Sequence, residues 1–420
     1  MADQCCDVSK IVTAFFLRTC RLPPWPRICN VNAAVECAGL AGINLPDYEV
    51  ACIPLITGSV AEFYIEPMLP FVGDIDVMYH RSEMLAIPQG HPTPTQLPAE
   101  FHNYVIVLEI IDSHLSGYVY LRYLLTQCSN DVKYNYIEYN KGDYLSNKSD
   151  MSGLSHVSKI RGPAMFFDNS HTSHSLSIDF VACVRCLVWP TQASDWPNRH
   201  RNYGWPDLAT LDRVVSNGCD VVRLAHHQCR QDEWMGKHQW RLSFSRTEIV
   251  LVNSWSPVQQ IVYHMLRYFV KTEELTDCAD SSGTGNLSNY HIKTLMLWAI
   301  ELKARSWWTE NFNLVRICVE LLKTLSVWLS DTRCRHYFIN KCNLLDTSFN
   351  AGNVAKILMS LNEDHLSKWL IKNYIGQCAK LCPDYVSRLG LFNDVTSNLN
   401  LPNVVSQIVR WRLRSSLYDM

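Results

Sequence analysis

The chain has 420 residues, 47% of them hydrophobic and 19% charged, with a formal net charge of −2. That is enough apolar material for a large core in one bilobal unit or two domains, and a balance so near neutral excludes a whole-molecule positive field for nucleic acid. The 17 cysteines are an odd number scattered through periodic segments; they read as reduced thiols of a cytoplasmic protein, and no apolar run of about eighteen residues occurs, so no membrane span is expected.

Residues 1–50 hold Pro23, Pro24, Pro26 and Pro46 and one short helical candidate around Val12 to Leu17, without a readable role. The apolar run ACIPLIT then leads into Thr57, Gly58 and Ser59. Gly-Ser at a strand end lets the backbone approach a phosphate closely while a hydroxyl donates to it, so this turn is a phosphate-cradle candidate. Farther on, Asp74 and Asp76 flank Ile75 in an alternating run. Residues i and i+2 of a strand share a face. Two carboxylates so placed repel unless a cation lies between them, and oxygen ligands of this kind suit Mg²⁺. The pair therefore predicts a bound divalent ion.

After the Pro-rich IPQGHPTPTQLP, the runs NYVIVLEII and YVYLRYLL read as buried strands, and NKGDYLSNKSDMSG as a surface loop. SLSIDFVACVRCLVWP is an apolar strand with Asp179 set among Ile178, Phe180 and Val181. Burying an unpaired carboxylate is costly, and a place beside the metal pair removes that cost. Capping a loop or bonding to a nearby backbone amide is the alternative.

From Trp205 the character turns helical. Pro206 and Asp207 suit the first turn of a helix, and Ser245 with Glu248 reads as a capping box after the short strand in HQWRLSFS. Ser256-Pro257 opens the next helix, whose stripe Val258, Ile261, Val262, Met265, Leu266 and Phe269 leaves Arg267 and Lys271 to point elsewhere. DCADSSGTGN reads as a linker. NYHIKTLMLWAIELKA, NLVRICVELLKTLSVWL, NVAKILMSLNEDHLSKWL and NVVSQIVRWRL have helical apolar spacing. The expected class is α+β and bilobal, with a mixed-sheet lobe over residues 51–245, a helical lobe over 246–420, and a site in the cleft between them.

Other clusters carry less. Cys219, His226, His227, Cys229 and His238 are metal-type ligands without a recognised spacing, and CVRC at 183–186 has no second CxxC to complete a zinc site. RLPPWPR, RHR at 199–201 and RWRLR at 410–414 are short basic runs, either solvated faces or parts of a modest phosphate-binding surface.

Taken together, T-G-S, D-I-D, S-I-D, WRLSFS-x-x-E, L-R-Y, S-N-Y-H-I-K-T and Y-F-I-x-x-x-N-L, in that order from about residue 50 to 345, resemble the male-abnormal superfamily of nucleotidyltransferases, which includes cyclic GMP-AMP synthase and the animal cGAS-like receptors. The resemblance implies a nucleotidyltransferase fold in which Thr57, Gly58 and Ser59 hold a triphosphate. Asp74, Asp76 and Asp179 would coordinate Mg²⁺ or Mn²⁺. Arg241, Ser243, Ser245 and Glu248 match base-contacting positions, Tyr290 a base-stacking one, and Arg267 and Asn289 replace a lysine and a serine that contact phosphates. Arg241 as a structural ion-pair partner and Tyr290 as ordinary core are the alternatives.

Implied partners are ATP, GTP or other nucleoside triphosphates, an activating nucleic acid with double-stranded RNA ahead of DNA, and a STING-type receptor reached through a cyclic dinucleotide product. The segment IVLVNSWSPVQQ stands where vertebrate relatives insert a His-Cys-Cys-Cys zinc thumb, and it has neither cysteine nor histidine, so no zinc thumb is expected. A non-catalytic scaffold and an enzyme making linear products stay open.

Overall fold

The computed structural model describes residues 8–19, 52–58, 75–94, 96–98, 101, 104–128, 143–147, 159–161, 164–168, 177–230, 232–273, 275, 287–309, 313–345 and 351–381. Asp74, Ser59, the linker at 277–286, RLPPWPR and RWRLR lie outside them.

Nine strands form one mixed sheet: β1 (Cys52–Thr57), β2 (Ile75–Pro88), β3 (Tyr104–Asp112), β4 (Tyr118–Cys128), β5 (Lys159–Arg161), β6 (Ala164–Asp168), β7 (Ser177–Cys186), β8 (Cys219–Val222) and β9 (Gln239–Ser243). Their order is β1-β2-β3-β4-β9-β8-β7-β6-β5, and β2 also pairs with β7. The pairings β2-β3-β4-β9-β8-β7 thus run in a closed circuit, which leaves no open edge along it. Alternation explains which way side chains point. In β4, Val119 and Leu121 are buried between half-buried Tyr120 and Arg122, and in β9 Trp240 and Leu242 are buried between Arg241 and Ser243.

The helices are α1 (Val8–Thr19), α2 (Leu208–Ser216), α3 (Trp234–His238), α4 (Ser245–Asn253), α5 (Pro257–Thr272), α6 (Asn289–Leu302), α7 (Arg305–Thr309), α8 (Leu314–Ser330), α9 (Gly352–Ser360), α10 (Glu363–Leu370) and α11 (Gly376–Leu381). α5 starts after Ser256, with Pro257 as its first residue, as the sequence predicts, and Ser256 and Gln259 close a capping box there. That helix is the axis of the lobe: every residue from Gln259 to Val270 is buried, because helices pack on it from several sides. Arg267, off the apolar stripe, is buried as well and borders a cavity.

The N-terminal helix is longer than expected and joins this lobe. Val12 and Phe16 are fully buried, Phe16 meets Tyr374 at 4.5 Å between ring centroids, and Leu314 N–H donates to Thr13 Oγ1 at 3.1 Å.

Three local expectations need correction. Asp207 is the N-cap of α2, its carboxylate accepting from Thr210 N–H at 2.7 Å, so it precedes the first turn. At α4 the cap is Phe244 without a side-chain bond, and Ser245 is already helical, its hydroxyl 3.1 Å from that of Ser243. Glu248 instead ion-pairs with Lys293 Nζ at 2.8 Å, a stronger partner than a backbone N–H. The RHR run faces inward: Arg199 and Arg201 meet the buried Glu301 at 2.6 and 3.5 Å, and Arg201 also donates to the Trp196 carbonyl. It is a tie between the lobes, not a phosphate surface.

Candidate active site between the lobes

The sheet supplies the acidic floor. Along β1, β2 and β7 the register sets Thr57 opposite Asp76 and Asp76 opposite Asp179. Paired residues on neighbouring strands point to the same face about 4.8 Å apart. Met78 and Val181, two residues on from each acid, line the same cavity, as the period of two requires.

Just past Thr57, Gly58 takes φ +63°, and a Cβ there would lie 1.9 Å from Asp76 Oδ2. The turn after β1 crosses directly over the carboxylate, and only glycine leaves room for it. Thr57 Oγ1 donates to the Asp76 carbonyl at 3.4 Å.

Facing the acids is a cationic wall. Tyr263, Arg267 and Lys271 recur at helical spacing along α5, and Ser288, Asn289, Tyr290 and Lys293 come from the start of α6. Arg241, Ser243, Ser245 and Glu248 close the side formed by β9 and α4. Together these groups enclose a cavity of about 660 Å³.

Tyr290 is flanked by cations, with Arg241 Cζ 5.8 Å and Lys293 Nζ 5.9 Å from its ring centroid. Burial, reinforced by the Glu248 charge, pushes its phenol pKa well up, so the hydroxyl keeps its proton. Asn289 Oδ1 is buried without a hydrogen-bond partner among the described residues.

Every predicted site residue among those described therefore borders one cavity: Thr57, Gly58, Asp76, Asp179, Arg241, Ser243, Ser245, Glu248, Arg267, Asn289 and Tyr290. Asp74 and Ser59 lie outside the described residues. Two cations were missed as site residues, although spacing signals both. Lys293 follows Tyr290 by three and Lys271 follows Arg267 by four, the offsets that share a helix face.

The metal-type cluster does not converge. His226 N–H and the Cys229 thiol both bond Gln239 Oε1, at 2.6 and 3.5 Å, His238 Nδ1 lies 2.9 Å from the Trp234 carbonyl, and Cys219 sits in the sheet opposite Cys186. Among the described residues no three His, Cys, Asp or Glu gather as metal ligands. Asp76 and Asp179 are an all-oxygen pair, the donor type a hard divalent ion takes. A carboxylate roofed by backbone, with arginines and lysines across from it, suits a polyanion bound together with such an ion.

Residues 120–254 match the Mab-21 protein nucleotidyltransferase domain and residues 255–363 the Mab-21 protein HhH/H2TH-like domain. The two stretches meet between α4 and α5. Similar curated proteins include "Protein male abnormal 21" of Caenorhabditis elegans, 24% identical over 176 residues, or 40% of this chain and 45% of that protein. A "Cyclic GMP-AMP synthase-like receptor" of Tribolium castaneum is 26% identical over 200 residues (47% and 42%), and one of Aethina tumida 22% over 265 residues (60% and 56%). The chain spans about half the length of the curated relatives it matches.

Proposed function

This chain belongs to the Mab-21 family, and from that premise we propose that it is a metal-dependent nucleotidyltransferase, condensing two nucleoside triphosphates into a cyclic dinucleotide with release of pyrophosphate. The observation that carries this reading is the register of Asp76 with Asp179 beneath the Gly58 turn. Asp74, Asp76 and Asp179 would hold Mg²⁺ or Mn²⁺. Such an ion, when bound, neutralises phosphate charge and makes a ribose hydroxyl a better nucleophile.

The protein's own part is placement. Thr57, Gly58 and Ser59 receive the triphosphate through N–H and hydroxyl donors, while Arg267, Lys271 and Asn289 hold phosphate from the opposite wall. Arg241, Ser243, Ser245 and Glu248 address the nucleoside, and Tyr290 offers a flat face to a base.

The relatives named as cyclic GMP-AMP synthase-like receptors support a sensing role. We place it in the cytoplasm, with duplex nucleic acid as trigger, RNA ahead of DNA, and a STING-type receptor as reader of the product. No helix of the described residues is long and apolar enough to cross a membrane.

The test is to incubate the protein with Mg²⁺ or Mn²⁺, the four ribonucleoside triphosphates and duplex RNA or DNA, and to resolve products by mass spectrometry. A cyclic dinucleotide is expected from the native chain and none from Asp76→Ala. Linear oligonucleotides in its place would move the reading to a different transferase. Absence of both product and nucleotide binding would leave a scaffold.

A further inference from the structure

Behind Tyr290, outside the cavity lining, stands His336, 4% exposed, in the loop between α8 and α9. Its Nδ1 accepts the backbone N–H groups of Phe338 and Ile339, both at 3.1 Å. An imidazole nitrogen that accepts carries no proton, so the ring of a neutral histidine here has its one hydrogen on Nε2. Burial, with the Arg241 charge adding to it, keeps the ring neutral by pushing its pKa down to about 3.

That Nε2 lies 3.1 Å from the Tyr290 hydroxyl. Tyr290 must be the acceptor in that bond, and its own proton is left for another acceptor. The Glu248 carboxylate bears on that hydroxyl and helps raise its pKa. Lys293 Nζ donates to the same carboxylate at 2.8 Å. Donation thus runs one way, from the backbone of 338 and 339 to His336 and from His336 to Tyr290.

We infer that His336 is a positioning residue for the nucleotide site: its Nε2–H, donating to the Tyr290 hydroxyl, fixes the plane of that ring for stacking on a base. The inference rests on the nucleotide-binding reading of the cavity and deepens it. Two features give it weight. His336 is far from Tyr290 in sequence and is not itself part of the lining; it meets the lining ring of Phe244 at 5.6 Å between centroids, but its one hydrogen bond to a lining side chain among the described residues is the one to Tyr290. The loop carrying it is itself fixed, by the Arg335–Asn343 bridge and by His336 N–H donating to the Cys342 carbonyl at 2.9 Å.

The test separates holding the loop from holding the tyrosine. His336→Asn keeps an acceptor where Nδ1 stood, toward the two backbone N–H groups, but has no donor that reaches Tyr290. His336→Gln reaches Tyr290 with an amide N–H. Dissociation constants for Mg·ATP and Mg·GTP would be measured for both, for Tyr290→Phe, and for His336→Asn with Tyr290→Phe.

His336→Asn is expected to weaken binding of the stacked nucleotide roughly three- to tenfold, the range one net hydrogen bond allows. His336→Gln should recover most of it. The double variant should be no weaker than Tyr290→Phe alone, because both changes cut the same bond. Losses that multiply, or no loss in His336→Asn, would overturn the inference.

A nitrogen-15 spectrum of the histidines reads the wiring without any nucleotide. A protonated Nε2 on His336 that shifts in Tyr290→Phe is expected, and a protonated Nδ1 would rule the inference out. If the wiring is present but the native chain binds no nucleotide, it is the proposed function that fails, and with it the role of the wiring. If His336→Asn does not fold, the native and Tyr290→Phe spectra still decide.

Discussion

Gly58 shows how much one residue can commit. Its φ of +63° is open to other residues at a cost of about 1–3 kcal/mol, but the space beside it is not open at all, since a Cβ would sit 1.9 Å from Asp76 Oδ2. The carboxylate would have to swing away, out of its row with Asp179. Gly58→Ala should therefore weaken Mn²⁺-dependent nucleotide binding by about tenfold or more, the cost of displacing one charged ligand group. Its unfolding midpoint should fall only modestly, by the backbone strain. Calorimetric titration with Mn·ATP alongside thermal unfolding would measure both. Unchanged affinity would mean that the turn does not shape the acid site. Sequence made this glycine a candidate through its neighbours, yet the carboxylate it approaches is eighteen residues away, a distance that only the pairing of β1 with β2 spans.

At the scale of elements, what was legible is what rests on local spacing. The β3 and β4 runs, the buried β7 around Asp179 and the stripes of α5, α6 and α8 all follow from periods of two or 3.6. Errors came where a distant partner outbid a local one. Ser245 and Glu248 have capping-box spacing, but Lys293 across the cleft claims the glutamate. RHR has the composition of an exposed run, but a single buried carboxylate at Glu301 draws both arginines inward. No window of sequence contains either partner. The N-terminal helix is the same case, legible as helical but not as a component of the C-terminal lobe. Phe16, fully buried among Phe15 and Tyr374, gives a measure of that docking. Phe16→Ala should cost about 3–5 kcal/mol, seen as a lower urea midpoint with the slope unchanged. A shift below about 1 kcal/mol would mean that α1 contributes little to the lobe it packs on.

For the whole molecule, acid stability follows from where the histidines are buried. His80 lies within β2 beside Arg246 and Arg185, His264 inside α5 beside Arg267, and His336 in the loop after α8 beside Arg241. Burial, then these arginines, push their pKa values down from 6.5 to about 4, about 3 and about 3. Below pH 6.5 the unfolded chain takes up protons that the native protein refuses. Stability is therefore lost as pH falls from 6.5 toward 4, and each histidine contributes at most about 1.4 kcal/mol per pH unit. Asp220 works against this trend. Burial raises its carboxyl pKa despite the opposing arginines, so the native state binds that proton more readily than the unfolded one. The three histidines alone give at most about 4 kcal/mol per unit; His291, whose pKa burial also lowers, adds to this slope and Asp220 subtracts from it. The thermal midpoint should be nearly level from pH 8 to 7 and drop steeply from 6.5 to 4.5. His264→Gln, which keeps a polar group toward the Tyr374 hydroxyl now 2.8 Å from Nε2, should remove about one histidine's share of that slope. A midpoint level down to pH 5 would mean that these rings are protonated in the native state, and that water reaches the arginines beside them and screens their charge.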